Sequence, residues 1–296
     1  MRITIIGKGS WGSAFGKVLQ RNGHVVQFVE RSDATWPEAG PGDLVFLAVP
    51  CQSLRERLVQ LGTPGVPVVS LIKGLEIQTR QRVSEVVAEA WPGTAVAAVS
   101  GPSFASEVQV GAPTAAVVAS ADGALAQTVQ QAAHQTTFRL YRSADLAGVE
   151  LGGALKNVYA LAGGICEGLD IGENGMAGLM TRCLAEMVRL GCACGAKKET
   201  LFGLSGMGDL ILTAYSGQSR NHQVGVALGK GRELGEILEH LGGTAEGVPT
   251  ARAVYGMVEA SGIKAPVARE IYRVLYEGKS AAEGMRDLLT RTAEEE

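Results

Sequence analysis

A glycine-rich loop near the N-terminus constrains the fold of this chain more than any other feature. Residues 7–12 read G-K-G-S-W-G, after an apolar, β-branched run at 2–6 and before a helical pattern that reaches about residue 22. Between a strand and a helix, a G-x-G-x-x-G loop permits a tight turn and a close approach to a pyrophosphate, and the helix N-terminus adds free N–H groups. We therefore expect Gly7, Gly9 and Gly12 to bind a dinucleotide.

Continuous apolar runs recur through the first half of the chain, and helical patterns separate them. Such runs are typical of strands that are buried on both faces of a parallel sheet. The predicted strands cover residues 2–6, 24–29, 43–49, 66–71, 94–99, 113–119 and 136–141. The helical patterns lie at about 10–22, 52–61, 79–91 and 122–133. This alternation predicts an α/β fold with a Rossmann-type, doubly wound parallel sheet.

The pattern changes after about residue 145. Residues 147–166 form a long apolar stretch rich in Gly and Ala, and helical spacing recurs at 176–190, 234–241 and 266–277. Ser280 and Glu283 have the spacing of a capping box at the start of another helix. Because no segment after residue 150 reads as a strand, we expect two domains. The first is an α/β domain at 1–147 and the second is an all-α domain at 148–296.

The composition argues against several classes of function. The net charge is −3, with acidic and basic residues mixed along the chain, which argues against a nucleic-acid partner. No run of about 18 apolar residues predicts a membrane span. Five cysteines stand at 51, 166, 183, 192 and 194 without the spacing of a zinc site. We therefore expect buried free thiols, no metal site and a cytoplasmic location.

The end of the second predicted strand is where a dinucleotide-binding domain reads the ribose. Glu30 stands there, and its carboxylate favours NAD because it can accept a hydrogen bond from the ribose 2′-hydroxyl. The adjacent Arg31 favours NADP because it can bind a 2′-phosphate. The two residues together leave the choice of cofactor open, and a plain surface charge pair is the alternative interpretation.

Several short segments of this chain occur in the same order in one known family. The most specific set is G-A-L-K-N at 153–157, followed by G-M-G-D-L at 206–210 and S-R-N at 219–221. Further segments lie at 5–14, 47–52, 70–76, 100–108, 245–249 and 271–279. On these segments the chain resembles the NAD(P)-dependent glycerol-3-phosphate dehydrogenases over nearly its whole length.

The resemblance implies reversible reduction of dihydroxyacetone phosphate, a phosphorylated triose, to sn-glycerol 3-phosphate, the backbone of glycerolipids. It implies NAD or NADP as cofactor, with NADPH slightly preferred, and a homodimer. Lys156 matches the catalytic lysine of the family. The positions that match substrate-site residues are Lys73, Gly101, Ser103, Lys156, Asp209, Ser219, Arg220 and Asn221. The positions that match cofactor contacts are Ser10, Trp11, Arg31, Lys73, Ala105, Arg220 and Glu246.

One segment departs from the family pattern. Between the second and third predicted strands, where the family has a longer segment with a helix, this chain has only residues 32–42. Two prolines and two glycines there argue against a helix. Eleven residues are also at the lower limit for a parallel crossover, which takes roughly a dozen or more. We expect a trimmed, more open pocket on the adenine side of the cofactor.

Reduction of a ketone explains why these residue types are needed. The nicotinamide supplies a hydride, and an acid of suitable pKa must supply a proton. A lysine is suitable only if burial or a neighbouring cation lowers its pKa. Small residues at helical spacing surround Lys156, and Lys73, just past a predicted strand, offers a second cation. Asp209, in a predicted glycine-rich turn, could hold the Lys156 amine or a substrate hydroxyl.

Other interpretations remain open for single residues and for the whole chain. Lys156 could snorkel from an interior helix, Asp209 could be a turn residue, and Ser219 could be a plain helix cap. A hydroxyacid or ketopantoate-type dehydrogenase would share both domains without needing the three segments of the specific set. A non-catalytic nucleotide sensor would keep the glycine loop yet lose the two lysines and the aspartate, which are all present here.

Overall fold

The computed structural model describes residues 1–33, 35–37 and 40–292. The first half of this chain forms one seven-stranded sheet with the strand order β2-β1-β3-β4-β5-β6-β7. The strands are β1 (Arg2–Ile6), β2 (Val25–Val29), β3 (Leu44–Leu47), β4 (Val68–Ser70), β5 (Val96–Ser100), β6 (Thr114–Ser120) and β7 (Phe138–Ser143). All seven predicted strands are confirmed, with small differences at their ends.

Helices cover both faces of the sheet, as the continuous apolar strands predict. They are α1 (Ser10–Arg21), α2 (Leu54–Leu61), α3 (Val83–Ala90), α4 (Ala105–Val110) and α5 (Gly123–Ala133). Side chains alternate along each strand, so β3 sends Phe46 to the face under α1 and α5 and Leu47 to the face under α2 and α3. The residues described between β2 and β3 contain no helix, in agreement with the sequence.

The sheet is mixed rather than wholly parallel, and this corrects one part of the predicted topology. Strands β1 to β5 run parallel, but β6 is antiparallel to β5, and β7 is parallel to β6. The chain between β5 and β6 contains only α4, which is about 9 Å long. Because so short a helix does not carry the chain back across the sheet, β6 starts where β5 ends and runs in the opposite direction.

The second half of the chain is helical, and none of its described residues lies in a strand after β7. Its helices are α6 (Leu146–Gly168), α7 (Glu173–Ala193), α8 (Lys198–Leu201), α9 (Asp209–Ala214), α10 (Arg220–Gly229), α11 (Leu234–His240), α12 (Gly247–Ser261), α13 (Pro266–Tyr276) and α14 (Ala281–Leu289). The capping box of α14 is confirmed, since Ser280 Oγ accepts a bond from Glu283 N at 3.2 Å. No helix in the described part is both long and apolar enough to cross a membrane.

Helix α6 is the centre of the helical half. It is buried from Gly148 to Cys166 and packs along α10. The two helices touch backbone to backbone, because a Cβ on Gly164 would lie 2.8 Å from Val226 N. Only glycine fits so close an approach. This contact brings the middle of α6, which holds Lys156, next to the first turn of α10, which follows Ser219.

Candidate active site

One cleft of about 510 Å³ collects most of the predicted site residues. It is bordered by the carboxyl ends of β1, β4 and β5 on one side and by α6 and the start of α10 on the other. The predicted residues that line it are Gly9, Ser10, Trp11, Lys73, Ser103, Ala105, Lys156, Ser219, Arg220, Asn221 and Glu246. Gly7, Gly12, Gly101 and Asp209 do not line the cleft themselves but adjoin residues that do. Glu30 and Arg31 also lie outside the lining, at the end of β2.

The loop between β1 and α1 has the shape that a pyrophosphate needs. Gly7 has a φ of +102°, and a Cβ there would lie 2.5 Å from Ala48 O. Gly9 caps α1 without a side chain, and a Cβ on it would meet nothing within 4 Å. The first-turn N–H groups of α1 therefore have no side-chain cap, and the space beside Gly9 is open. Trp11 Nε1, which is buried beside them, has no hydrogen-bond partner among the described residues. These features fit a dinucleotide.

Asp209 joins two lysines from different halves of the molecule. Its Oδ2 lies 2.6 Å from Lys73 Nζ, and its Oδ1 lies 2.9 Å from Lys156 Nζ. Lys73 also donates to Gly101 O at 2.8 Å, and this carbonyl accepts a second bond from Ser103 Oγ. The carboxylate and Lys156 are almost inaccessible to solvent. Lys156 therefore does not snorkel, and Asp209 begins α9 after a π-helical turn at Leu204–Gly208, which corrects its predicted position in a glycine turn.

The burial of this cluster sets the protonation of Lys156. Desolvation lowers the pKa of Lys156 to about 8, the nearby Asp209 carboxylate opposes this change, and Lys73 adds to it. Burial alone would raise the pKa of Asp209, but the two lysines outweigh it and hold that pKa below its ordinary value. At neutral pH the site therefore contains an ionised aspartate and a lysine that can release its proton.

Thr213 completes this cluster and was missed at the level of sequence. Its hydroxyl accepts a bond from Lys156 Nζ at 2.6 Å and donates to Asp209 O at 2.6 Å. The side chain also lines the cleft. The signal that could have found it is the i, i+4 spacing of Asp209 and Thr213, which places both side chains on one face of α9.

A chain of amides positions Asn157 next to the lysine. Asn157 Nδ2 donates to Lys73 O at 2.8 Å, and its Oδ1 accepts from Asn221 Nδ2 at 2.8 Å. Asn221 Oδ1 in turn accepts from Gly247 N at 2.8 Å. Asn221 lines the cleft, but both ends of its amide are already engaged. This residue therefore fixes the position of Asn157.

The start of α10 presents positive charge to the cleft. Ser219 is the helix cap, since its Oγ accepts from His222 N at 3.2 Å. Arg220 follows, and its guanidinium makes no hydrogen bond or ion pair with the residues that the structure describes. It lies against Gly243, where a side chain would overlap it. An arginine at a helix N-terminus suits a phosphate.

Glu246 also lines the cleft, just before α12. Its Oε1 accepts from Cys51 N at 3.4 Å, and its buried Oε2 has no partner among the described residues. Burial raises the pKa of this carboxyl to about 7, and the bond from Cys51 opposes the rise. The unpartnered oxygen is available to a ligand.

The described residues offer no site for a metal ion and form no disulfide. Within residues 1–33, 35–37 and 40–292, no three His, Cys, Asp or Glu side chains are grouped so that they could hold a metal ion. All five cysteines are free thiols, but the expected burial holds only for Cys51, Cys166 and Cys183 and is wrong for Cys192 and Cys194, which are exposed.

Comparison with known proteins places this chain in a family. The model described as NAD-dependent glycerol-3-phosphate dehydrogenase N-terminus matches residues 2–39 and 38–126, and the C-terminus model matches residues 145–286. The N-terminal match is broken within the segment at 32–42, in agreement with a shortened connection there.

Two curated relatives and one solved structure span nearly the whole chain. Glycerol-3-phosphate dehydrogenase (NAD(P)+) from Thiobacillus denitrificans is 42% identical, covering 98% of each chain. The protein of that name from Koribacter versatilis is 40% identical, covering 98% of this chain and 97% of the relative. A crystal structure of glycerol-3-phosphate dehydrogenase from Coxiella burnetii superposes with a TM-score of 0.90 at 31% identity, covering 98% of this chain and 99% of that one.

Proposed function

The chain belongs to the NAD-dependent glycerol-3-phosphate dehydrogenase family, and from this premise we propose that it reduces dihydroxyacetone phosphate reversibly to sn-glycerol 3-phosphate with NADH or NADPH. The observation that carries the proposal is the buried Lys156, held between Asp209 and Thr213 in the cleft that begins at the glycine loop. The ketopantoate-type and sensor interpretations are disfavoured, because this family accounts for both halves of the chain and for the Lys-Asp-Lys cluster.

The proton chemistry rests on this chain's own residues. The nicotinamide, when bound, supplies a hydride to the C2 carbonyl carbon of the substrate. Lys156 donates its proton to the C2 oxygen, so the ketone gains one hydride and one proton and becomes the alcohol. Lys73 stabilises the developing negative charge, while Asp209 stays ionised and orients both amines. In the reverse direction the neutral Lys156 accepts the proton.

The substrate phosphate and the cofactor occupy separate ends of the cleft. We assign the phosphate to Arg220 and the first-turn N–H groups of α10, where charge and free donors coincide. The pyrophosphate of the cofactor takes the corresponding position at the start of α1. This arrangement orients the triose with its carbonyl towards Lys156.

The proposal includes a role in lipid synthesis, a cytoplasmic location and a homodimer. The product supplies glycerolipid synthesis, which growth rescue of a glycerol-3-phosphate auxotroph would test. The free thiols support a cytoplasmic location, which cell fractionation would test. The family resemblance supports a homodimer, and a light-scattering mass of a single 30.8 kDa chain would contradict it.

The direct test offers the purified protein a choice of substrates. Oxidation of NADH and NADPH is followed at a wavelength where only the reduced cofactor absorbs, with dihydroxyacetone phosphate or ketopantoate added. We expect oxidation with the triose phosphate and none with the keto acid. Turnover of the keto acid alone would overturn the substrate assignment, and cofactor binding without any turnover would favour the sensor interpretation.

A further inference from the structure

An exposed ion pair stands beside the cleft, at the point where the cofactor's adenosine half must lie. Lys8, in the glycine loop, places its Nζ 3.2 Å from Glu30 Oε1, at the end of β2. Both side chains are more than half exposed, and the Lys8 amine also lies 5.8 Å from the centre of the Phe28 ring. The mechanism described above uses neither residue.

Hydrogen bonds hold the backbone beneath this pair, although the two side chains are exposed. Asp33 N donates to Glu30 O at 3.1 Å, and Glu30 N donates to Asp33 Oδ2 at 2.7 Å, closing a tight turn. The buried Arg57 of α2 donates to Glu30 O and to Asp33 O, both at 2.6 Å. Arg57 therefore anchors the shortened connection and fixes where the Glu30 side chain starts.

The charged side chains around this turn match neither NADH alone nor NADPH alone. A carboxylate at the end of β2 accepts from a ribose 2′-hydroxyl and repels a 2′-phosphate. Here an amine already neutralises that carboxylate, and Arg31 adds a second exposed cation with no hydrogen bond or ion pair to the described residues. With Asp33 and the buried Arg57 counted beside Lys8, Glu30 and Arg31, the turn carries one net positive charge.

We propose that the Lys8–Glu30 pair selects the cofactor, an inference that rests on the proposed function and deepens it. When a 2′-phosphate is present, Lys8 leaves Glu30 and binds the phosphate together with Arg31. When the ribose carries a hydroxyl, Glu30 accepts from it and Lys8 stays paired with the carboxylate. The exchange of partners lets one site accept both NADPH and NADH, and Lys8 supplies the discriminating charge.

The experiment measures binding of two adenosine fragments to the full chain by titration calorimetry. Adenosine 2′,5′-bisphosphate carries the 2′-phosphate, and adenosine 5′-monophosphate lacks it. We expect Lys8→Met to weaken binding of the bisphosphate about tenfold, because the substitution removes one charged contact to the 2′-phosphate. The monophosphate should change less than about twofold. Lys17→Met, which removes an exposed lysine from α1 at a distance from the glycine loop, is the matched control and should change neither.

Glu30→Gln gives the opposite test. Removing the carboxylate frees Lys8, so the bisphosphate should bind more tightly than to the wild type and the monophosphate more weakly. The ratio of the two Kd values, for the ligand with the 2′-phosphate and the ligand without it, is then measured again with NADPH and NADH by cofactor fluorescence. Unchanged ratios in both variants, or failure of the wild type to bind either fragment, would overturn the proposal. Because binding is measured without substrate, a failure of the proposed reaction would be seen separately, as cofactor binding with no turnover.

Discussion

At the scale of single residues, the proposed proton transfer depends on the competition between burial and charge at Lys156. Burial favours the neutral amine, while Asp209 at 2.9 Å favours the charged one. Lys73 binds the other oxygen of the same carboxylate, so Asp209 is shared between two amines. It therefore does not raise the pKa of Lys156 back to that of an ordinary lysine. The result is a pKa of about 8, close to the pH at which a general acid and base are both useful.

The first prediction concerns the pH dependence of this lysine. Reduction needs the protonated amine, so kcat/KM for dihydroxyacetone phosphate should be level below about pH 8 and fall about tenfold per pH unit above it. Oxidation of the alcohol needs the neutral amine and should rise with pH up to the same value. Rates from pH 6 to pH 10 at saturating cofactor measure both limbs.

Asp209→Asn is the companion variant. It removes the negative charge that raises the pKa of Lys156, so the descending limb of the reduction profile should move to lower pH. A limb that stays in place, or moves to higher pH, would contradict the assignment of that limb to Lys156.

At the scale of elements, the contact of α6 with α10 positions the site. A Cβ on Gly164 would lie 2.9 Å from Gly225 Cα, so the two helices meet without side chains between them. Gly164 belongs to the apolar stretch at 147–166 that is rich in Gly and Ala. The predicted domain limits of 1–147 and 148–296 stay a prediction, and the structure begins α6 at Leu146.

A pair of glycine substitutions tests this contact. Gly164→Ala should lower the free energy of unfolding by about 2 kcal/mol, because the added methyl group must push α10 away. Gly178→Ala, in the second turn of α7 with nothing within 4 Å of its Cβ position, should raise that energy by about 1 kcal/mol, because alanine favours the helix. Urea unfolding measures both. A Gly164→Ala protein that is as stable as the wild type, or more stable, would show that the approach of α6 to α10 is not tight.

The elements show how far the fold follows from local pattern. The strands and most of the longer helices were predicted because their apolar periodicity is set by their own residues. The reversal of β6 was not, because it depends on how short a helix joins it to β5. Helices α4, α8 and α9 were missed because they are short, and the longer α12 was missed because glycines obscure its periodicity.

At the scale of the whole molecule, the site exists only where the sheet half meets the helical half. Lys73, from the sheet half, and Lys156 and Asp209, from the helical half, are far apart in sequence and meet within hydrogen-bonding distance. Motifs identified these three residues individually. Their shared carboxylate and the bridge through Asn157 and Asn221 could not be predicted, because long-range geometry alone creates them. The role of Arg57 in holding the turn at Glu30 was hidden for the same reason.

The central claim is that Lys156 supplies the proton for reduction of dihydroxyacetone phosphate, and Lys156→Met tests it most directly. The substitution leaves the Lys73–Asp209 pair to neutralise the buried carboxylate, so the protein should still fold and bind cofactor. We expect kcat to fall by about two to four orders of magnitude with an unchanged Kd for NADPH. Lys230→Met, at an exposed position after α10, should retain full activity. A Lys156→Met enzyme that turns over at the wild-type rate would contradict the account.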